Sequence, residues 1–195
     1  MNEVTRRGLI FGAATAAACG LLVGVERVCL AALEYDKNDP EDDSGPVKIV
    51  KFADDGARLG VYTLAKVRKN KSEWKKQLTP LQYDVTRRAA TEFAFSGALH
   101  DQHAPGLYRC IDCGNALFDS RAKFDSGTGW PSFWEPIAGE NVREKKDFSA
   151  GVLRTEVKCT LCEAHLGHVF ADGPEPSGLR YCMNSAALRF ISRKS

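Results

Sequence analysis

A chain of 195 residues, 44% hydrophobic and 27% charged, has the makeup of a soluble globular protein of one ordinary domain, not that of a disordered chain or a membrane bundle. A net charge of +2 offers no electrostatic case for a nucleic-acid partner. Seven cysteines is an odd number, so a framework with every cysteine in an internal disulfide is excluded.

Residues 1–32 read as an export signal and stand apart from the fold. Thr5-Arg6-Arg7-Gly8-Leu9-Ile10-Phe11 places a twin-arginine pair before an uncharged run of 18 residues, Gly8 to Val25. Cys29-Leu30-Ala31-Ala32 supplies the small residues of a cleavage region. An uncleaved membrane anchor is the alternative at that length, but glycine and alanine dominate the run and make a weak span. Ala17-Ala18-Cys19 is a poor lipid-acceptor site. The expectation is an exported protein, periplasmic or otherwise extracytoplasmic, that meets a membrane only through an uncleaved signal. Twin-arginine export resembles a route for proteins that fold first, so a cysteine-bound metal would be loaded before the chain reaches an oxidising compartment.

Residues 33–71 read as an acidic linker and an N-terminal flank. Glu34 to Gly45 holds six acidic residues against one lysine and cannot bury a core. Val47-Lys-Ile-Val-Lys-Phe alternates apolar and basic side chains, as a strand does. Asp54-Asp55-Gly56 signals a turn, and Leu59-Gly-Val-Tyr-Thr-Leu is the returning arm of a hairpin. The basic run Arg68-Lys69-Asn70-Lys71 is expected to be a solvated face. From residue 72 to 195 the chain reads as one folded domain. A helical pattern begins at Ser72-Glu73-Trp74, and a second helix is expected over Pro80–Arg88, with Thr79 as N-cap and Pro80 in the first turn. Its apolar face is expected to run through Leu81, Val85 and Ala89.

Cys110-Ile-Asp-Cys113 and Cys159-Thr-Leu-Cys162 are two CxxC pairs with 45 residues between them. Each pair offers two thiolates from one tight turn, and Gly114 relaxes the backbone after the first. Two such turns facing each other make a tetrahedral site with no open position, which points to one structural Zn2+. Two redox-active pairs, one long-range disulfide, or an iron centre with four thiolates remain as alternatives at this point.

With four cysteines in that site, and Cys19 and Cys29 in the export signal, Cys182 is the cysteine left over. It sits in Arg180-Tyr181-Cys182-Met183-Asn184, on or just before a strand. An extended chain turns Arg180 and Asn184 toward the same face as the thiol. A guanidinium there favours the thiolate and lowers its pKa. The bland alternative is a small buried hydrophobe, the common state of a free cysteine. His165 and His168 are candidates for a proton relay. Ser126-Gly-Thr-Gly-Trp-Pro-Ser-Phe-Trp134 is a shaped loop, with Trp130 offering an apolar wall to a small methyl-bearing ligand.

Tyr108-Arg-Cys-Ile-Asp-Cys-Gly, Lys123-Phe-Asp-Ser-Gly-Thr-Gly-Trp-Pro-Ser-Phe, Ala164-His-Leu-Gly-His-Val-Phe-Ala-Asp-Gly-Pro and Arg180-Tyr-Cys-Met-Asn-Ser resemble, in order, the motifs of the peptide-methionine (R)-S-oxide reductases, the type-B methionine sulfoxide reductases. The resemblance runs from about Trp74 to Phe190. It implies a mainly β fold, two antiparallel sheets with a few short N-terminal helices and a structural zinc site. It implies Cys182 as the nucleophile that becomes a sulfenic acid and Trp130 as the residue packing the substrate methyl group. His165 and His168 lie near the sulfoxide oxygen by the same comparison, Arg180 and Asn184 are polar residues around the thiol, and Cys110, Cys113, Cys159 and Cys162 ligate zinc. The implied partners are oxidised methionine-containing proteins and a thioredoxin-like external thiol reductant, and the implied role is repair of exported proteins.

One departure matters. Many members carry a resolving cysteine where this chain has Thr128, and threonine cannot close a disulfide. The expectation is a cycle with one cysteine, in which an external thiol reduces the sulfenic acid directly, unless Cys19 or Cys29 is retained and substitutes. A zinc-stabilised binding module and a thiol–disulfide oxidoreductase built on a CxxC pair are the competing readings. The histidine loop, the tryptophan loop and Cys182 together favour the reductase.

Overall fold

The computed structural model describes residues 45–148, 151 and 153–193. The export signal, Cys19, Cys29 and the acidic linker up to Ser44 lie outside the described residues. Eleven strands and two α-helices make up the described chain, and the strands pair antiparallel throughout. The mainly β expectation therefore holds. Among the described residues no helix is long and apolar enough to cross a membrane.

The alternating segment forms β1 (Val47–Phe52), which turns at Asp54-Asp55-Gly56 into β2 (Arg58–Leu64). Ile49 and Val50, on opposite faces of the strand, are 2% and 1% exposed, and Ile49 joins the core. Asn141, itself buried, clips the hairpin in place. The Asn141 amide accepts from the Val50 N–H (2.7 Å) and donates to the Val50 and Ala116 carbonyls (2.8 and 2.7 Å). Arg109 adds bonds to the Phe52 carbonyl and the Asp54 carboxylate, each at 2.8 Å.

Helix α1 (Lys71–Gln77) starts at Asn70, whose side chain accepts from the Glu73 N–H while the Glu73 carboxylate accepts from the Asn70 N–H. This reciprocal cap hides inside the basic run, which is otherwise solvated. Helix α2 (Pro80–Arg88) has the expected bounds, with Thr79 and Gln82 making the same reciprocal cap and Pro80 in the first turn. Its buried stripe is Val85 and Thr86, and Leu81 stays 53% exposed. The Leu81–Val85–Ala89 face is thus corrected. The inward stripe passes through Gln82, Val85 and Thr86, and Ala89 is a left-handed cap at φ 53°. Thr86 tolerates burial because its hydroxyl donates to the Gln82 carbonyl at 2.7 Å.

Strands β3 (Gly106–Cys110), β4 (Ala116–Asp119) and β11 (Leu188–Ser192) form a three-stranded sheet in the order β11-β3-β4. A six-stranded sheet runs in the order β5-β6-β10-β9-β8-β7. Its strands are β5 (Lys123–Phe124), β6 (Ser132–Phe133), β7 (Val142–Asp147), β8 (Arg154–Cys159), β9 (His165–Phe170) and β10 (Arg180–Met183). An aromatic cluster lies in the core. Phe118 stacks on Phe133 (centroids 4.4 Å apart), and Tyr108 meets Phe133 edge-on at 4.8 Å. All three side chains are fully buried. β10 and β9 sit in the interior of the larger sheet, where neighbours on both sides hold their register.

Candidate active site

The metal-type cluster comes from two turns of the same design. After β3, the Gly114 N–H donates to the Cys110 carbonyl (2.9 Å), with Gly114 left-handed at φ 77°. After β8, the Glu163 N–H donates to the Cys159 carbonyl (2.9 Å), with Glu163 at φ 59°. The second turn lacks glycine, and ion pairs from Lys66 (2.8 Å), Arg143 (2.6 Å) and Lys158 (3.4 Å) hold the Glu163 side chain instead. The four sulfur atoms lie within 4.8 Å of one another. The short contacts, Cys110–Cys162 and Cys113–Cys159, run between the turns at 3.6 Å each.

A tetrahedron with Zn–S bonds of about 2.3 Å has sulfur atoms about 3.8 Å apart, whereas a disulfide needs about 2.05 Å. The residues present fit a four-thiolate zinc ion, and none of the five cysteines among the described residues is in a disulfide. Neighbouring thiols and burial push Cys110 well above its ordinary pKa; at Cys159 hydrogen bonds from the other three thiols outweigh burial and hold it well below. A dication bound by all four thiolates would remove that competition for protons. Around the cluster, Asn115 donates to the Cys159 sulfur at 3.8 Å. Arg87 donates to the Cys162 carbonyl at 2.9 Å and pairs with the buried Asp112. Such groups orient ligands.

Cys182 lies elsewhere, in β10, half-buried. Its cross-strand partners are His168 on β9 and Ser132 on β6, which places the three side chains on one face of the sheet. The Thr128 hydroxyl is 3.9 Å from its sulfur. Ser126 links that hydroxyl (2.8 Å) to Ser132 (2.7 Å), so three hydroxyl groups line one side of the thiol. Arg180 stands over the Phe170 ring, 4.5 Å from its centroid, held by a bidentate pair with Asp172 at 2.9 and 2.8 Å.

Burial pushes the Cys182 thiol above its ordinary pKa, and the Thr128 hydroxyl, the Arg180 charge and Ser132 pull the other way without winning. The net direction is opposite to the lowering expected from Arg180, because desolvation of the half-enclosed sulfur outweighs the guanidinium. His165 is buried at 3% exposure. Its Nδ1 donates to the Glu156 carboxylate at 2.6 Å, and its Nε2 has no partner among the described residues. His168 bonds the Asp147 carboxylate through Nε2 at 2.8 Å. Burial lowers its pKa, with the nearby Arg154 charge adding to the effect and the Asp147 hydrogen bond opposing it. The two rings meet edge to face, 5.4 Å between centroids. Gly167 lies between them in the chain, and a side chain there would run into the Cys182 carbonyl.

Asn184 is placed differently from the expectation that it faces the thiol. Its side chain is buried, donating to the Leu166 carbonyl and accepting from the Glu92 N–H, each at 3.0 Å. It pins the end of β10 in place. Trp130 is half-buried and donates its indole N–H to the Glu92 carbonyl at 3.1 Å. Glu92, 4% exposed, is a residue that sequence reasoning missed. Its carboxylate accepts from the Ser185 and Ala186 N–H groups at 2.5 and 2.9 Å. A lone acid in Thr91-Glu-Phe-Ala-Phe carries no pattern that would have singled it out. Glu156, Asp147 and Asp172 were missed for the same reason.

A half-buried thiol on an interior strand, beside carboxylate-held histidines and a tryptophan loop, with four further cysteines gathered in a separate cluster, describes a cysteine-dependent enzyme of small β fold. Residues 78–192 match the family model of the SelR domain. The peptide methionine sulfoxide reductase MsrB of Pseudomonas paraeruginosa is 53% identical over 131 residues, 67% of this chain and 99% of that protein. Its counterpart from Herminiimonas arsenicoxydans is 57% identical over 125 residues, 64% of this chain and 91% of that protein. That from Bradyrhizobium diazoefficiens is 56% identical over 124 residues, 64% and 89% of the two chains. The chain belongs to the peptide methionine sulfoxide reductase MsrB family, the (R)-S-oxide reductases.

Proposed function

We propose that this chain reduces methionine (R)-sulfoxide, free or in proteins, through a sulfenic acid on Cys182 that an external thiol clears. The observation that carries this is the row Ser132–Cys182–His168 across β6, β10 and β9, with Thr128 at 3.9 Å and the other four described cysteines drawn into the separate cluster. Trp130 packs the substrate methyl group, and Glu92 fixes the indole by accepting its N–H.

The Cys182 thiolate attacks the sulfoxide sulfur. The S–O bond of the sulfoxide breaks, an S–O bond to Cys182 forms, and two electrons pass from cysteine to methionine. The sulfoxide oxygen needs a proton as it leaves and the Cys182 thiol gives one up, so the histidines serve to relay it from sulfur to oxygen. Each has one ring nitrogen held by a carboxylate, Glu156 for His165 and Asp147 for His168, which leaves the other to exchange a proton with the site. One external thiol then forms a mixed disulfide with Cys182 and releases water; a second displaces Cys182 and leaves as the oxidised disulfide. Arg180, held by Asp172, favours the thiolate against the cost of burial. Cys110, Cys113, Cys159 and Cys162 would hold one structural zinc ion, which would tie the two turns together. The N-terminal twin-arginine signal motivates export, with repair of oxidised exported proteins as the role and a thioredoxin-like protein as the reductant.

The test is a single turnover without reductant, followed by dimedone trapping and mass spectrometry. The adduct is expected on Cys182 alone; an intramolecular disulfide at Cys182 in the mature protein would overturn the one-cysteine cycle.

A further inference from the structure

The loop between α2 and β3 carries Phe93 at 88% exposure and Phe95 at 63%. Two aromatic rings in water this close together call for a purpose, and these are held in position. The Phe93 carbonyl accepts from both the N–H and the hydroxyl of Ser96, at 3.2 and 2.7 Å. The Phe95 N–H donates to the Gly129 carbonyl at 2.8 Å, and its ring meets His100 edge-on, 5.9 Å between centroids. Phe95 has φ 63°, a left-handed conformation that a bulky residue adopts only when its surroundings impose it.

The position of the pair ties it to the site. Phe93 follows Glu92, whose carbonyl accepts the Trp130 indole N–H. Phe95 lies against Gly129, where any side chain would collide with the Phe95 amide and ring. Gly129 separates Trp130 from Thr128, the residue touching the Cys182 sulfur. Other exposed apolar side chains, such as Leu59 and Val61 on β2, have nothing beside them to say what would cover them.

We propose that Phe93 and Phe95 form a docking rim for polypeptide substrates, taking extended segments with apolar residues next to the oxidised methionine. The inference rests on the placement of Cys182 and Trp130 in the reaction as set out above. An extended chain advances about 3.3 Å per residue, so a peptide carries side chains beyond the methionine toward the loop that adjoins Gly129, and a free amino acid has none to offer there.

The experiment compares kcat/KM for three substrates: a blocked pentapeptide with leucine on both sides of methionine (R)-sulfoxide, the same peptide with serine in place of leucine, and free methionine (R)-sulfoxide. Phe93→Ser, Phe95→Asn and the double variant are tested, asparagine being chosen because it accepts a left-handed φ. In the double variant the ratio of leucine peptide to free amino acid is expected to fall about tenfold, the scale of losing partial burial of two aromatic rings, while the serine-peptide ratio moves less than about twofold. Unchanged ratios for both peptides would overturn the rim. A parent protein that turns over none of the three would overturn the Cys182 reading, and the rim with it. Should Phe95→Asn fail to fold, Phe93→Ser at the more exposed of the two sites carries the same comparison.

Discussion

Replacing Glu92 by alanine tests whether this buried carboxylate holds the reactive strand in place. Its two oxygens accept the Ser185 and Ala186 N–H groups, just after β10 ends, and its own N–H reaches the Asn184 side chain. A hydrogen bond to a charged group contributes about 1.5–3 kcal/mol, so losing two removes roughly 3–6 kcal/mol and strands two buried amide donors. Against a typical domain stability of about 5–15 kcal/mol this is a large share, and at ~2–4 °C per kcal/mol the midpoint should drop by roughly 6–24 °C. Glu92→Gln keeps one acceptor and turns an amide NH2 toward the other donor, so it should fall between parent and alanine variant. Urea unfolding with an unchanged m-value measures both. A loss below ~1 kcal/mol for Glu92→Ala would show that water replaces the carboxylate at little cost and that Glu92 is not the clasp described.

The protein should carry one zinc ion per chain by metal analysis. Cys113→Ser should lose it and more than about 4 kcal/mol of stability, and equal stability with and without metal would refute the structural role. Thr128→Cys places a thiol where a hydroxyl now lies 3.9 Å from the Cys182 sulfur, so a single turnover should yield an intramolecular disulfide and abolish dimedone labelling. Arg180→Ala removes a charge that favours the Cys182 thiolate, so the thiol pKa, already raised by burial, should rise further. Iodoacetamide labelling of Cys182 should then be slower at neutral pH, with its inflection at higher pH; an inflection that stays in place or moves down would contradict the assignment.

Much of the fold and site was legible because the signals were local. Thr79-Pro80 and a helical period set the bounds of α2, and Asp54-Asp55-Gly56 between alternating segments marked the β1–β2 hairpin. The CxxC spacing marked four cysteines that the fold brings within 4.8 Å. What stayed hidden depends on contacts across the fold. Leu81 and Val85 are equally apolar, and only the packing of α2 decides which of them is buried. Asn70 caps α1 from inside a run whose charges suggested only solvent. Glu92 bonds residues more than 90 positions away, which no local pattern encodes. The net shift at Cys182 is a balance of burial against Arg180 and two hydroxyls, and spacing shows the charge but not the desolvation.

The central claim is that Cys182 performs a stereospecific reduction. Its most direct test is turnover of the separate R and S epimers of methionine sulfoxide by the purified protein and by Cys182→Ser, with dithiothreitol as reductant. The account predicts that the parent consumes the R epimer alone, and that the serine variant consumes neither while keeping its zinc and its folded circular dichroism spectrum. Turnover surviving in Cys182→Ser, or loss of the S epimer, would contradict it.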